Sequence, residues 1–280
     1  MTKIKYSATS YAARTLPISR TVSSMPPPGG RAARAPSGKV ISSPAAHPAD
    51  KSPGGKSSPK VSSVNDDDSC ENSAGDISEA RVRTCTEDYR LSRARDGMNG
   101  ADRAFFEPLI RQWNEILHPG KDQQDTGYKA LPRCEFLMRV AVGMHESMGL
   151  RDSLILSVIS QLTPSELIEA AVNPTQPDTA QLVSSTLSAV FRDSTQRPDQ
   201  EVCGRCLDTL VEIHSRVPRT YCVQPLAVMA YLLWWSGRDE EAGGAALRAL
   251  SIDGECTLAS IVLTATEYGI SPAWKGRGKK

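Results

Sequence analysis

Cys203-Gly204-Arg205-Cys206 is the sharpest chemical motif in the chain. Two thiolates at this spacing could ligate zinc, with His214 and Cys222 completing the four soft donors that the ion takes. A cysteine of lowered pKa at a helix start could instead carry out thiol–disulfide exchange. The spacing offers a third role. Cys203, Cys206, Leu210, Ile213 and Val217 fall on one face of a helix, where thiols fill space as small apolar groups. No second CxxC accompanies the first, and His214 lies eight residues beyond Cys206 on the same helical pattern. No strand precedes the motif, as dithiol exchange sites require. Core packing is the reading adopted. Cys203, Cys206, His214 and Cys222 stay as metal candidates, and no catalytic or cofactor-binding residue is assigned.

The other reactive side chains carry less. His145-Glu146 begins like a two-histidine zinc helix, but no second histidine follows at the next turn; a surface or capping role suits it. His118 precedes Pro119-Gly120 at a helix end, where an imidazolium complements the helix dipole. Trp234 and Trp235 could line a ligand pocket or serve as core anchors. The sequence contains no GxxxxGK[ST], GxSxG or GxGxxG segment, so nucleotide binding and serine hydrolysis have no motif behind them. No cofactor is implied.

Helices must position these groups. Phe105, Phe106, Leu109, Ile110, Trp113, Ile116 and Leu117 recur at helical spacing until His118-Pro119-Gly120. Phe136, Leu137, Val140, Met144 and Met148 form a second stripe running to Gly149. Residues 150–162 are apolar and rich in β-branched side chains, and their length favours a buried helix over a strand. Thr163-Pro164-Ser165-Glu166 is a helix start, with Thr163 as cap and Glu166 three residues on. Asp178 or Thr179 opens a helix that turns Leu182, Val183, Thr186, Leu187 and Val190 inward. Another runs over residues 201–217. Residues 225–236 are apolar all round, which places that helix inside the core. Gly237 sits where a left-handed cap is needed, Ala242, Ala245, Ala246 and Ala249 make a small-residue face, and Leu258, Ile261, Val262 and Ala265 mark a last helix. The fold class expected is all-α, a bundle or stacked hairpins.

Composition bounds where folding begins. Up to residue 88 the only aromatics are Tyr6 and Tyr11, and nine of the 19 prolines lie at or before Pro59. So few large apolar side chains cannot offset an ordering entropy of roughly 1–2 kcal/mol per residue. Residues 1–100 are therefore expected to be a disordered Pro/Ser/Gly-rich basic tail and linker, with the charged segment 79–95 as a candidate helix at its end. Residues 101–274 form the helical domain, and 275–280 a basic tail.

The net charge of +1 conceals a division. Residues 1–60 carry ten Lys/Arg against one acid, Asp50, while residues 61–274 carry −12. Basic termini could make weak, salt-sensitive contact with nucleic acid, although the basic residues are single and lack interleaved aromatics. The longest mostly apolar run, 225–235, is about half a bilayer span, so no membrane is expected. Residues 1–24 lack the apolar core of a secretory signal. Seven scattered cysteines suit reduced thiols in the cytoplasm.

Two resemblances sit in the last quarter of the chain. Gly237 at a turn, Ala242 opening the next helix and Ala249-Leu250 near its end resemble one tetratricopeptide hairpin, with Gly254 where that repeat usually has proline. Pro225-Leu226-Ala227, Trp234-Trp235, Gly237, Ala249-Leu250, Leu258 and Pro272-Ala273-Trp274 resemble the C-terminal half of an actinobacterial family catalogued as domain of unknown function four-one-nine-two. Arg151-Asp152, before an apolar run, matches that family's central segment. The low-complexity tail stands where the family has an apolar opening. The resemblance implies a helical domain without an established activity. The function expected is a non-enzymatic helical interaction or scaffold module with a protein partner. The alternatives are a zinc- or thiol-dependent regulator centred on Cys203 and Cys206, and a nucleic-acid-associated protein using its basic termini.

Overall fold

Ten α-helices, and no strand, make up the described part of the chain. The computed structural model describes residues 76–120 and 129–276, apart from the side chains of 188–191. The readings of the tail up to residue 75, the loop 121–128 and the basic residues 277–280 lie outside the described residues. The helices are α1 (Glu79–Asp96), α2 (Met98–Leu117), α3 (Arg133–Glu146), α4 (Met148–Ile159) and α5 (Pro164–Val172). Then come α6 (Pro177–Arg192), α7 (Gln200–Arg216), α8 (Val223–Trp235), α9 (Asp239–Leu250) and α10 (Thr257–Glu267). Short 3-10 turns at Arg219–Tyr221 and Ala273–Lys275 precede α8 and close the described residues. None of these helices is long and apolar enough to cross a membrane.

The all-α reading holds, but the expected domain boundary moves. Residues 79–96, assigned to the linker, are α1, which buries Val82, Thr86 and Tyr89. The sequence marked a candidate helix there but not its attachment to the domain, part of which is polar: Tyr89 and Arg93 both bond the carboxylate of Asp102. A smaller correction falls at Met148. The apolar stripe of α3 ends before it, because Ser147 is extended (φ −143°, ψ 119°) and starts α4 in a new direction; Met148 is exposed.

The centre of the fold is α8. Every residue of it but Met229 is buried, and it packs against α3, α4, α7, α9 and α10. A helix apolar on all sides is stable only when neighbours cover every side, and each large side chain so buried contributes about 1.5–3 kcal/mol. Its end is closed by Gly237 at φ +78°, with Arg238 N–H donating to Leu233 O (2.9 Å) and Gly237 N–H to Trp234 O (3.0 Å). That geometry reverses the chain into α9, whose Ala242, Ala246 and Ala249 are fully buried. Trp274 then folds back over the turn. Its Nε1 donates to Trp235 O (2.9 Å), while Trp234 Nε1 donates to Ile270 O (2.7 Å). A Cβ on Gly237 would lie 3.2 Å from the Trp274 ring.

The other half is built on close helix approach. Thr163 and Glu166 cap α5 reciprocally, Thr163 N–H donating to Glu166 Oε2 (2.8 Å) and Glu166 N–H to Thr163 Oγ1 (3.3 Å), which satisfies two otherwise orphaned donors. α5 lies antiparallel to α4, with Gly149 against Ala171 and Ser153 Oγ donating to Leu167 O (2.8 Å).

Candidate functional site

The CGRC motif divides into two structural tasks on a helix whose start is capped by Asp199. Asp199 caps α7 by accepting from the N–H groups of Glu201 and Val202, both at 3.0 Å, which fixes the rotation of the helix. Cys203 and Cys206 then turn inward, 2% and 0% exposed, alongside buried Leu210, Ile213 and Val217. Arg205 points the other way, its Nε donating to Leu117 O (2.9 Å) at the end of α2, where a cation complements the dipole. The Gly204 Cα faces open space.

The structure keeps His214 and Cys222 away from the cysteine pair. Two helical turns, about 12 Å of rise, separate Cys206 from His214. The Cys222 thiol donates to the carbonyl oxygens of His214 (3.5 Å), Pro218 (3.6 Å) and Val217 (3.7 Å), so it caps the end of α7. Zinc would need all four donors within about 2.3 Å of one point. Among the described residues, no group of three or more His, Cys, Asp and Glu side chains could hold a metal ion. The six described cysteines are free thiols.

Burial pushes the thiols of Cys203 and Cys222 up, and that of Cys206 well up; a raised pKa opposes thiolate chemistry at neutral pH. Cys85 and Cys256 move the same way, again chiefly through burial. These shifts set a pH dependence. Above pH 9.0, the ordinary thiol value, the unfolded chain loses protons that the folded chain keeps. The unfolded state then binds fewer protons, so stability falls as pH rises. We expect the denaturation midpoint, measured under reducing conditions, to decline steadily from pH 8.5 to 10.5. The decline should be shallower in Cys206→Ala. An unchanged midpoint across that range would show the thiols to be solvated. For His214, burial and then the Arg248 charge hold the imidazole below its ordinary value, so its contribution is lost as pH falls below 6.5.

The remaining sequence candidates hold the scaffold. Glu146 accepts two bonds from Arg90 (2.8 and 2.7 Å), joining α3 to α1, and the His145 ring lies 4.6 Å from that of Tyr221. His118 is the residue closing α2, its N–H donating to Asn114 O (2.8 Å). Trp234 and Trp235 are each 2% exposed, members of the core. Arg151 bonds its neighbour Asp152 (2.8 Å) and Gln224 (3.4 Å), tying α4 to α8.

The concavity that sequence reasoning missed lies between α2, α5 and α6. It is an open groove of about 450 Å³, and Ile168 and Leu182 are its aliphatic lining residues. Its rim carries Arg103 and Arg111 against Glu107, Glu166, Glu169 and Asp178. Arg103 is paired with Glu169, which also accepts from Asn173 (2.8 Å), and Arg111 with Glu107 (2.7 Å). The Arg103 bond, then that of Asn173, holds the Glu169 carboxyl below its usual value. Bonds from Thr163 do the same for Glu166. Both guanidinium groups are thus neutralised within the chain, and the rim retains an excess of carboxylates. The only sequence signal was the Glu107/Arg111 spacing, one turn apart. Nothing in the pattern announced that α5 and α6 would face it.

Set against protein-family models, curated proteins and solved structures, the chain matches none of them.

Proposed function

We propose that this chain is a non-enzymatic helical interaction module that binds a protein partner in the cytoplasm, and that it belongs with the actinobacterial family of domain of unknown function four-one-nine-two. The observation that carries the interaction reading is the groove between α2, α5 and α6, an open concavity lined by charged side chains with Ile168 and Leu182 among them. Its carboxylate excess suits a partner segment with basic side chains flanking an apolar one, since complementary charge sets specificity and encounter rate. The family reading rests on the residues that carry the resemblance. Leu226, Trp234, Trp235, Gly237, Ala249 and Trp274 belong to one packed unit of α8, α9, α10 and the final turn. The α8–α9 hairpin, turned at Gly237 over a buried alanine face, supports its likeness to a tetratricopeptide unit. Six free thiols among the described residues suit a reducing compartment.

Charge reversal tests the groove. In the full chain, Glu107→Lys with Asp178→Lys should leave the circular dichroism spectrum unchanged and weaken capture of a cross-linked protein partner at least tenfold. Captured partner should also fall as salt rises. Binding that ignores this double change but vanishes on deleting residues 1–60 would move the function to the basic tail.

A further inference from the structure

The contacts that hold α1 differ in kind from those that hold the rest of the core. Only Val82, Thr86 and Tyr89 of its residues are buried, together with Ile77 just before it. Cys85, half-buried, packs against the core beside them, and the rest of the helix's grip on the domain is a series of polar bonds. Ile77 N–H donates to Arg216 O (2.8 Å), and the Thr86 hydroxyl lies 2.9 Å from the Tyr221 hydroxyl. Arg90 forks onto Glu146. Tyr89 OH (2.6 Å) and Arg93 (2.5 and 2.9 Å) converge on the buried Asp102. The joint to α2 is a single residue, Gly97, at φ +78° with nothing within 4 Å of where a Cβ would stand. Glycine adopts such a backbone with little strain, and the joint has open space on its side-chain face.

Beneath α1 lies an aromatic surface. The Tyr89 ring stacks on Phe105 at 4.3 Å and lies 5.8 Å from Phe106; those two side chains are 8% and 0% exposed. Removing α1 would uncover Phe105 first.

We propose that α1 is a strap that swings about Gly97 as one unit, without unfolding the domain, and bares the Phe105–Phe106 surface. The inference is independent of the function proposed for the groove. Local units with few buried apolar contacts open well below the global limit, and the Arg90–Glu146 pair, whose arginine side chain is 60% exposed, loosens with salt. Native-state hydrogen exchange of the full chain, read by mass spectrometry, tests it, because a helix of this length is marginal in water once it leaves its neighbours and its amides then exchange from the open state. Amides of α1 should exchange at least tenfold faster than those of α8, and raising potassium chloride from 0.05 to 1 M (about a threefold or greater cut in the Debye length) should widen the gap. Arg90→Ala, at an exposed side chain, should speed α1 a few-fold and leave α8 unchanged. The proposal fails if α1 and α8 exchange at one common rate, or if salt and Arg90→Ala shift both together.

Discussion

Replacing Gly149 by alanine is expected to destabilise the protein by about 2 kcal/mol, against what helix propensity alone predicts. Gly149 lies within α4, and alanine is worth up to about 1 kcal/mol more than glycine inside a helix. A Cβ there would stand 2.4 Å from Ala171 O and 3.2 Å from Ala171 C. Those are backbone atoms of α5, so no side-chain rotation relieves the contact. The helix pair must separate, and with it the Ser153–Leu167 bond. Overpacking of this sort costs about 1–3 kcal/mol and sometimes more, which outweighs the propensity gain. Gly204 supplies the control, since nothing lies within 4 Å of its missing Cβ. Gly204→Ala should stabilise by about 0.5–1 kcal/mol. Urea denaturation of both variants measures the contrast. A Gly149→Ala protein as stable as the parent would mean that α4 and α5 do not approach as described.

How far the sequence could be read depended on which interaction holds each element. The burial pattern of α8 was visible because a helix apolar on every side has one stable location, and Gly237 marked its end by conformational need. The cysteine face was visible for the same reason: Cys203, Cys206, Leu210, Ile213 and Val217 share a helical period, and all five are buried. α6 was partly visible; Val183 and Leu187 are buried while Leu182 and Thr186 are half-buried, because the groove leaves that helix open on one side. The attachment of α1 was not visible. Val82, Cys85, Thr86 and Tyr89 give the helix a short inward face with one aliphatic side chain, and no hydrophobic period records the phenol, guanidinium and carboxylate that tie it to α2 across a glycine joint. The groove escaped for a related reason. Arg103, Glu169 and Asp178 come from three helices, and their convergence depends on the approach angle that Gly149 permits between α4 and α5.

Trp235→Ala is expected to cost about 3–5 kcal/mol, the range for truncating a buried tryptophan when its surroundings relax only in part. Its side chain is 2% exposed and ranks among the largest fully buried groups. Around it, Trp274 Nε1 bonds the Trp235 carbonyl and the Trp274 ring covers Gly237. The cavity would therefore open beside the turn that positions α9. A domain of ordinary stability has about 5–15 kcal/mol in hand, so the variant should melt at a much lower temperature and lose near-ultraviolet dichroism. The half-buried Trp274 gives the comparison. Its truncation removes one hydrogen bond and partial cover, and should cost clearly less than that of Trp235. The ordering distinguishes the two roles that the sequence left open for the tryptophan pair. A side chain lining a ligand pocket already has an empty face, so its removal opens little new void and costs within about 1 kcal/mol, as surface changes do. A core anchor has neighbours on all sides and loses them all. A cost for Trp235→Ala as small as that for Trp274→Ala would place Trp235 at a pocket wall and reopen α8 as a ligand-binding element.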